Sequence, residues 1–242
     1  MPMKNIEYEK IADNLIRTLD NRRHNGLLFS KFAIQATKNI LEKIKTKEQA
    51  FLILCKNRNY KKINEEIIPI SVYVLSKYSC RHQMVIEWKS GNQPYDAIAY
   101  NQIFKEKRFV KSKTYLEVTT LQHKNAHLAR EDVIKNGISA GPYKIKSLPG
   151  GKIKSEPAVL TDYKDIDEMI DKLCDTIKKK ESNPHYEPNT VLIISCRFPY
   201  PFWDNEWEYF ENGAKKRIKS EKFQSVFIYE NMLERKFEIN RA

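Results

Sequence analysis

Residues 84–100 read MVIEWKSGNQPYDAIAY and residues 114–130 read TYLEVTTLQHKNAHLAR. The order of secondary structure in the whole chain turns on these two stretches. Residues 84–88 are apolar enough for a strand. Residues 90–93 (SGNQ) supply a turn, and Pro94 can open the next strand without interrupting it. Residues 95–100 then alternate, with Asp96, Ile98 and Tyr100 on one face and Tyr95, Ala97 and Ala99 on the other. Residues 115–120 form a third strand that puts Tyr115, Glu117 and Thr119 on one face. Between these two strands, residues 105–113 are a basic loop or strand extension. Residues 125–136 have helical spacing and end at Gly137, which suits the position just past a helix. Asp96 and Glu117 therefore each interrupt an apolar or β-branched run, where a carboxylate is costly to bury unless it is paired or holds a cation.

Upstream of this segment, Tyr8, Ile11, Leu15, Ile16 and Leu19 fall on one face of a helix over residues 5–22. Asn25-Gly26 breaks it. A second helix over residues 29–45 is expected to bury Phe32, Ile34, Ile40, Leu41 and Ile44, and a third begins near Thr46. Residues 1–62 thus read as an N-terminal helical section packed on a larger unit, residues 63–242. A further helix starts near Pro69, because proline is accommodated in a first helical turn. Glu65 and Glu66 lie at or just before that start.

Downstream, residues 137–158 hold four glycines, three prolines and four lysines and read as a long loop, either at a nucleic-acid groove or as a surface excursion. Residues 162–180 are an amphipathic helix with Ile166, Met169, Ile170, Leu173 and Ile177 inward. Residues 191–194 (VLII) suit a central strand covered on both faces. Residues 198–210 are aromatic and proline-rich, and serve either to stack on unpaired bases or as a lid over the core. Residues 213–222 are basic, residues 225–229 form a last strand, and the tail is charged. The expected fold class is α/β (α+β), a mixed central sheet flanked by helices.

The 242 residues include 43 Lys and Arg against 31 Asp and Glu, a net charge of +12. That excess favours a polyanionic partner, nucleic acid first. The four cysteines are far apart and form no CxxC pair, which argues against a zinc site or a disulfide scaffold and suits a reducing cytoplasm. No apolar run reaches the roughly 18 residues of a membrane span, and the start, MPMKNIEYEK, lacks a signal-peptide core, so a cytoplasmic location is expected. No Walker A or GxGxxG sequence is present. His123 and His127 are four apart but belong to no HExxH pattern.

The succession helix, strand, strand with Asp, strand with Glu, helix resembles the PD-(D/E)XK nuclease superfamily, with its restriction-endonuclease-like fold. The residues that carry the resemblance are Pro94-Tyr95-Asp96 and Glu117-Val118-Thr119, and the likeness spans about residues 64–230. It implies metal-dependent hydrolysis of phosphodiester bonds, with DNA favoured and RNA left open, in a restriction or phage-defence setting. Mg²⁺ is the implied cofactor, with Mn²⁺ able to substitute. Its implied ligands are Asp96, Glu117 and the carbonyl of Val118, with a further acid from Glu66 or Glu87. The superfamily usually has lysine two residues after the second acid; here that residue is Thr119, so a lysine has to reach in from elsewhere, Lys124 or Lys89, while Gln122 could orient phosphate or water. Lys89, Lys113, His123 and Arg130 are the expected contacts to nucleic acid. The same fold without activity would be a nucleic-acid-binding subunit, alone, as a homodimer or beside a partner subunit.

Overall fold

The computed structural model describes residues 7–122, 124–137, 139, 145–156, 163–198, 202–230 and 235–241. The chain begins with helix α1 (Glu7–Leu19), a short strand β1 (Arg23–Asn25) and helix α2 (Gly26–Lys43). Short helices α3 (Lys47–Phe51) and α4 (Arg58–Lys62) alternate with π-helical turns at Leu52–Lys56 and Ile63–Ile67, and α5 (Ile68–Lys77) follows. Strands β2 (His82–Trp88), β3 (Ala97–Lys105) and β4 (Arg108–Gln122) form an antiparallel meander. After α6 (Ala126–Asn136) comes a small hairpin, β5 (Ile145–Ser147) with β6 (Ile153–Ser155). The chain closes with α7 (Lys164–Glu181), β7 (Thr190–Arg197), α8 (Asp204–Arg217), β8 (Ser225–Glu230) and β9 (Lys236–Asn240).

One seven-stranded sheet, in the order β1-β2-β3-β4-β7-β8-β9, organises these elements. Its β1–β4 half is antiparallel, β4, β7 and β8 run parallel, and β9 returns antiparallel at the edge. The architecture is therefore mixed α/β, as the alternation of strand and helix patterns implied. β7 is buried at every position from Thr190 to Cys196, as its unbroken apolar run requires. Val191 and Ile193 join one core with Phe29, Ile67, Ile70, Val74, Trp88 and Leu116. Leu192 and Ile194 join a second with Leu173, Ile177, Phe210 and Ile228. Alternation along the central strands thus separates α1, α2 and α5 on one face from α7 and α8 on the other.

The N-terminal section is not purely helical. Residues Arg23–Asn25 add an edge strand to β2, and Asn25 then caps α2 by accepting a 3.0 Å bond from the Leu27 amide, so the Asn25-Gly26 signal is a helix start. The face of α2 that turns inward carries Phe29, Ala33, Ala36 and Ile40. Phe32, Ile34 and Leu41, expected inside, are exposed. The two alanines let α2 lie close against α5, and a face of larger side chains would hold it away. Gly26 makes the same approach possible: a Cβ there would stand 2.8 Å from Val74 Cγ1 and 3.2 Å from the Met84 carbonyl oxygen. Gly26→Ala is expected to lower stability by about 1–3 kcal/mol through overpacking, measurable as a reduced denaturant midpoint at unchanged m-value. An unchanged midpoint would refute the close contact.

Within residues 137–158, the part described contains the β5–β6 hairpin, so the segment is more structured than a plain loop. Residues 105–113 prove to be the arms and tip of the β3–β4 hairpin. In the aromatic stretch, Phe198, Phe202, Trp207 and Phe210 pack on one another, with Phe198 and Phe202 stacked at 4.0 Å, while residues 199–201 lie outside the described set. These rings belong to the second core, in keeping with a lid. The α8 helix is hidden in sequence by the preceding prolines, and β9 by the charged tail.

Candidate active site

β3 begins at Ala97, opposite Leu116, while β4 continues to Gln122. The two strands part at this point, and Asp96 sits in the opening. Its amide donates to the Leu116 carbonyl at 2.8 Å, and its Oδ2 accepts the Val118 amide at 2.7 Å. The N–H and C=O of one strand residue project to the same side, so the Val118 carbonyl faces the same opening. Extending the register by one residue sets Glu117 directly across from Asp96.

Glu117 is only 8% exposed. Its Oε1 accepts from the ammonium of Lys180 and from the Tyr186 hydroxyl at 3.2 Å. Lys180 lies in the last turn of α7, where a cation is favoured by the helix dipole. Burial and the Glu117 charge push the Tyr186 phenol far up, so it remains a hydrogen-bond donor. Glu66 enters from the π-helical turn before α5, close to Lys62, Glu117 and the Trp88 indole, with which it makes no well-formed hydrogen bond.

The electrostatics tie the three acids together. The Asp96 carboxyl is pushed up to about 7, chiefly by burial and next by the charge of Glu117; the Val118 amide opposes the shift, Glu66 adds to it and Lys180 opposes it. The residue as a whole retains some solvent contact, but its carboxyl group is the enclosed part, and that governs its titration. Glu66 is also raised, first by burial, with Lys62 and Trp88 opposing and Glu65 and Glu117 adding. The charge of Glu117 thus raises both Asp96 and Glu66, and acids perturbed by burial together with a specific charged neighbour mark a candidate functional site.

The other expected site residues fall elsewhere. Glu87 is held by Arg23, Lys89 and the Tyr100 hydroxyl, and these bonds, Lys89 first, draw its carboxyl down to about 2. It is therefore an ion-pair residue of the sheet, apart from the acid cluster. Lys89 is committed to Glu87 and to Asn21 at 3.1 Å, so it cannot serve as the missing lysine. Lys124 lies in an exposed turn and touches neither Asp96 nor Glu117. Thr119 shares a face with Glu117 and is half-buried. Gln122 is five residues beyond Glu117; its Oε1 is buried without a partner, and its carbonyl accepts from Lys172 at 2.5 Å. Lys113 donates to Tyr115. Arg130 lines a separate cavity of about 280 Å³ with Tyr60, Asn64, Arg197 and Glu230. His127 Nδ1 bonds the Lys124 carbonyl at 3.2 Å, and His123 lies outside the described residues.

Lys180 and Tyr186, the two partners of Glu117, were missed in the sequence because they lie 63 and 69 residues away from it. One signal was available. A parallel crossover from β4 to β7 must carry its helix back across the sheet, and that helix ends in Lys178, Lys179 and Lys180.

Among the described residues, no three His, Cys, Asp or Glu side chains are grouped so as to hold a metal ion between them, Asp96, Glu117 and Glu66 included, and no helix is long and apolar enough to cross a membrane. The cluster offers only hard oxygen donors, the set that Mg²⁺ accepts through one or two carboxylates while keeping several waters. No family model matches the chain, and no curated protein or solved structure matches it.

Proposed function

We propose that the chain is a metal-dependent nuclease that hydrolyses phosphodiester bonds, with DNA as the favoured substrate. The observation that carries this reading is the Lys180 ammonium set on Glu117, across from the Asp96 carboxyl in the opening between β3 and β4. The resemblance to the PD-(D/E)XK superfamily supports the same reading, and the basic surface suits the substrate.

Asp96, Glu117 and the Val118 carbonyl would hold Mg²⁺, with Glu66 as the further acid. When bound, the cation supplies a water made acidic enough to attack and neutralises charge on the phosphoryl oxygens. Lys180 takes the role that Thr119 cannot fill: its charge offsets the attacked phosphate, and its N–H groups orient the water. Glu117 fixes that ammonium in place, and Tyr186 holds Glu117 by its second bond. Asp96 has to release its proton before it can bind a cation, so cation affinity is expected to rise with pH through about 7.

The test is cleavage of plasmid and of single strands with Mg²⁺ or Mn²⁺, with and without EDTA, from pH 6 to 8.5. Cutting should need the cation and should increase about tenfold between pH 6 and pH 7.5, as one acid deprotonates. Cleavage that persists in EDTA would overturn the site. Binding without cleavage under either metal would make the protein a nucleic-acid-binding subunit.

A further inference from the structure

Residues directly opposite on neighbouring strands share a face of the sheet. The registers therefore put Arg23, Tyr100, Lys111, Lys113 and Tyr115 on the face that carries Glu117. The reverse face of the same strands is sealed by the N-terminal helices through Met84, Ile86, Ala97 and Ala99. This one is different. α7 and α8 pack on it over β4, β7, β8 and β9. On β3, Ile98, opposite Tyr115, is buried, and beyond it no helix covers the face over β1, β2 and the outer part of β3 among the described residues. Val85 is 36% exposed there, and Tyr100 and Tyr115 are half-buried.

The open face is built as a flat, aromatic surface. The Arg23 guanidinium lies 4.2 Å from the Tyr100 ring centre, and the Lys113 ammonium 4.3 Å from that of Tyr115. Tyr95 stands 4.8 Å from Tyr115. The acid on this face, Glu87, is neutralised by Arg23 and Lys89. At the far end, every residue over 104–113 is exposed. There Phe104 and Phe109 pair at 5.1 Å, and Lys105, Lys107, Arg108 and Lys111 have no acidic partner among the described residues. The distance from the acid cluster to this basic tip is about 27 Å, eight residues at about 3.4 Å each.

We propose that this face binds single-stranded nucleic acid and leads it to the acid cluster. The clause about delivery rests on the nuclease reading; the binding does not. Bases would stack on the Tyr100 and Tyr115 surface while the backbone follows the cations toward the hairpin tip. A duplex keeps its base faces hidden and presents phosphates on all sides, so it calls for charge across the whole surface. Here the cations thicken toward the hairpin tip, and in the middle Arg23 and Lys113 lie against the Tyr100 and Tyr115 rings. Aromatic rings interleaved with cations along one track are the arrangement that takes unpaired bases.

The experiment measures binding of dye-labelled oligo-dT, oligo-U and a mixed-sequence duplex to the full chain by fluorescence anisotropy. EDTA and the Asp96→Asn background keep cleavage out of the measurement. Single strands should bind at least tenfold more tightly than the duplex. The pair Tyr100→Ala, Tyr115→Ala should weaken single-strand binding at least tenfold, while Tyr100→Phe, Tyr115→Phe, which keeps the rings and controls for folding, should stay within about threefold. Lys111→Ala, Lys113→Ala should reduce the slope of log affinity on log salt by about 1.4, two contacts at about 0.7 each. The oligo-dT and oligo-U arms separate DNA from RNA. Tighter duplex binding, binding indifferent to the tyrosine pair, or no binding at low salt each overturn the proposal. Failure of the nuclease reading alone would appear as intact single-strand binding with no cleavage in Mg²⁺ or Mn²⁺.

Discussion

Asp96→Asn is expected to end cleavage and, above pH 7, to make the protein more stable. The two effects share one cause. The ordinary aspartate value is 3.8, and in the folded protein this carboxyl is pushed up to about 7. The folded state therefore binds the proton more tightly than the unfolded chain does. An acid raised in this way weakens the fold as pH climbs from about 4 to about 7, and the penalty stays in full above that. The gap between about 7 and 3.8 sets its upper limit at about 4 kcal/mol. Asparagine carries no charge to bury, and its side-chain oxygen can still accept the Val118 amide. At pH 8 the variant should melt about 5–12 °C above the parent protein, and at pH 4.5 the two should nearly coincide. A variant less stable than its parent at pH 8 would remove the argument for a buried, proton-holding acid. A variant that still cuts would remove Asp96 from the site.

The second large effect belongs to Lys180. Lys180→Met keeps most of the aliphatic stem and removes the charge. Cleavage should fall about 10²–10³-fold, the usual cost of losing a preorganised positive donor beside the reacting centre, and the loss should lie in kcat more than in KM. Stability should fall by about 2 kcal/mol, because Glu117 is left buried with only Tyr186. That figure is discounted for the partial exposure of Lys180, whose side chain is 30% exposed. Thr119 shares the Glu117 face two residues along β4, so a lysine there reaches the same space from the strand. Thr119→Lys added to Lys180→Met should recover at least tenfold of the lost rate. An unchanged kcat in Lys180→Met would show that its ammonium takes no part. The remaining positive pull on Asp96 would also be weaker, so the pH at which activity rises should move upward.

Much of the fold was legible because periodicity carries it. The strand pattern over residues 115–120 and the Gly137 helix end stand as read, Gly137 at φ 84°, whereas the strand read from Tyr95 begins at Ala97. Pro69 does not open a helix: helical backbone runs from Arg58 through the π-helical turn Ile63–Ile67 into α5, and that turn precedes the proline. Local patterns with a single solution survive folding. Burial on α2 was misjudged because apolar residues occur around most of that helix, and only packing decides which side turns in. There the small Ala33 and Ala36 won over the large Phe32 and Ile34. At the site, Asp96, Glu117 and Glu66 were legible from their place in or beside apolar segments. Glu87 looked equivalent in sequence, and its ion pairs, with Lys89 two residues along the chain and with Arg23 across the strand pairing, reveal it as neutralised. Lys180 was legible only through the lysines that end the crossover helix, since no local spacing ties it to Glu117.

The parallel seam between β4 and β7 has a consequence during synthesis. Tyr115 pairs with Thr190, and so much of the helical and hairpin structure must leave the ribosome before β4 finds its second neighbour. Until then one edge of β4 is an unsatisfied template for pairing with other nascent chains. The acids at its base come together early, from the meander alone, while the neutralising ammonium arrives with the helix that precedes β7. A half-made chain thus holds Asp96 and Glu117 without their counter-charge until the late crossover docks.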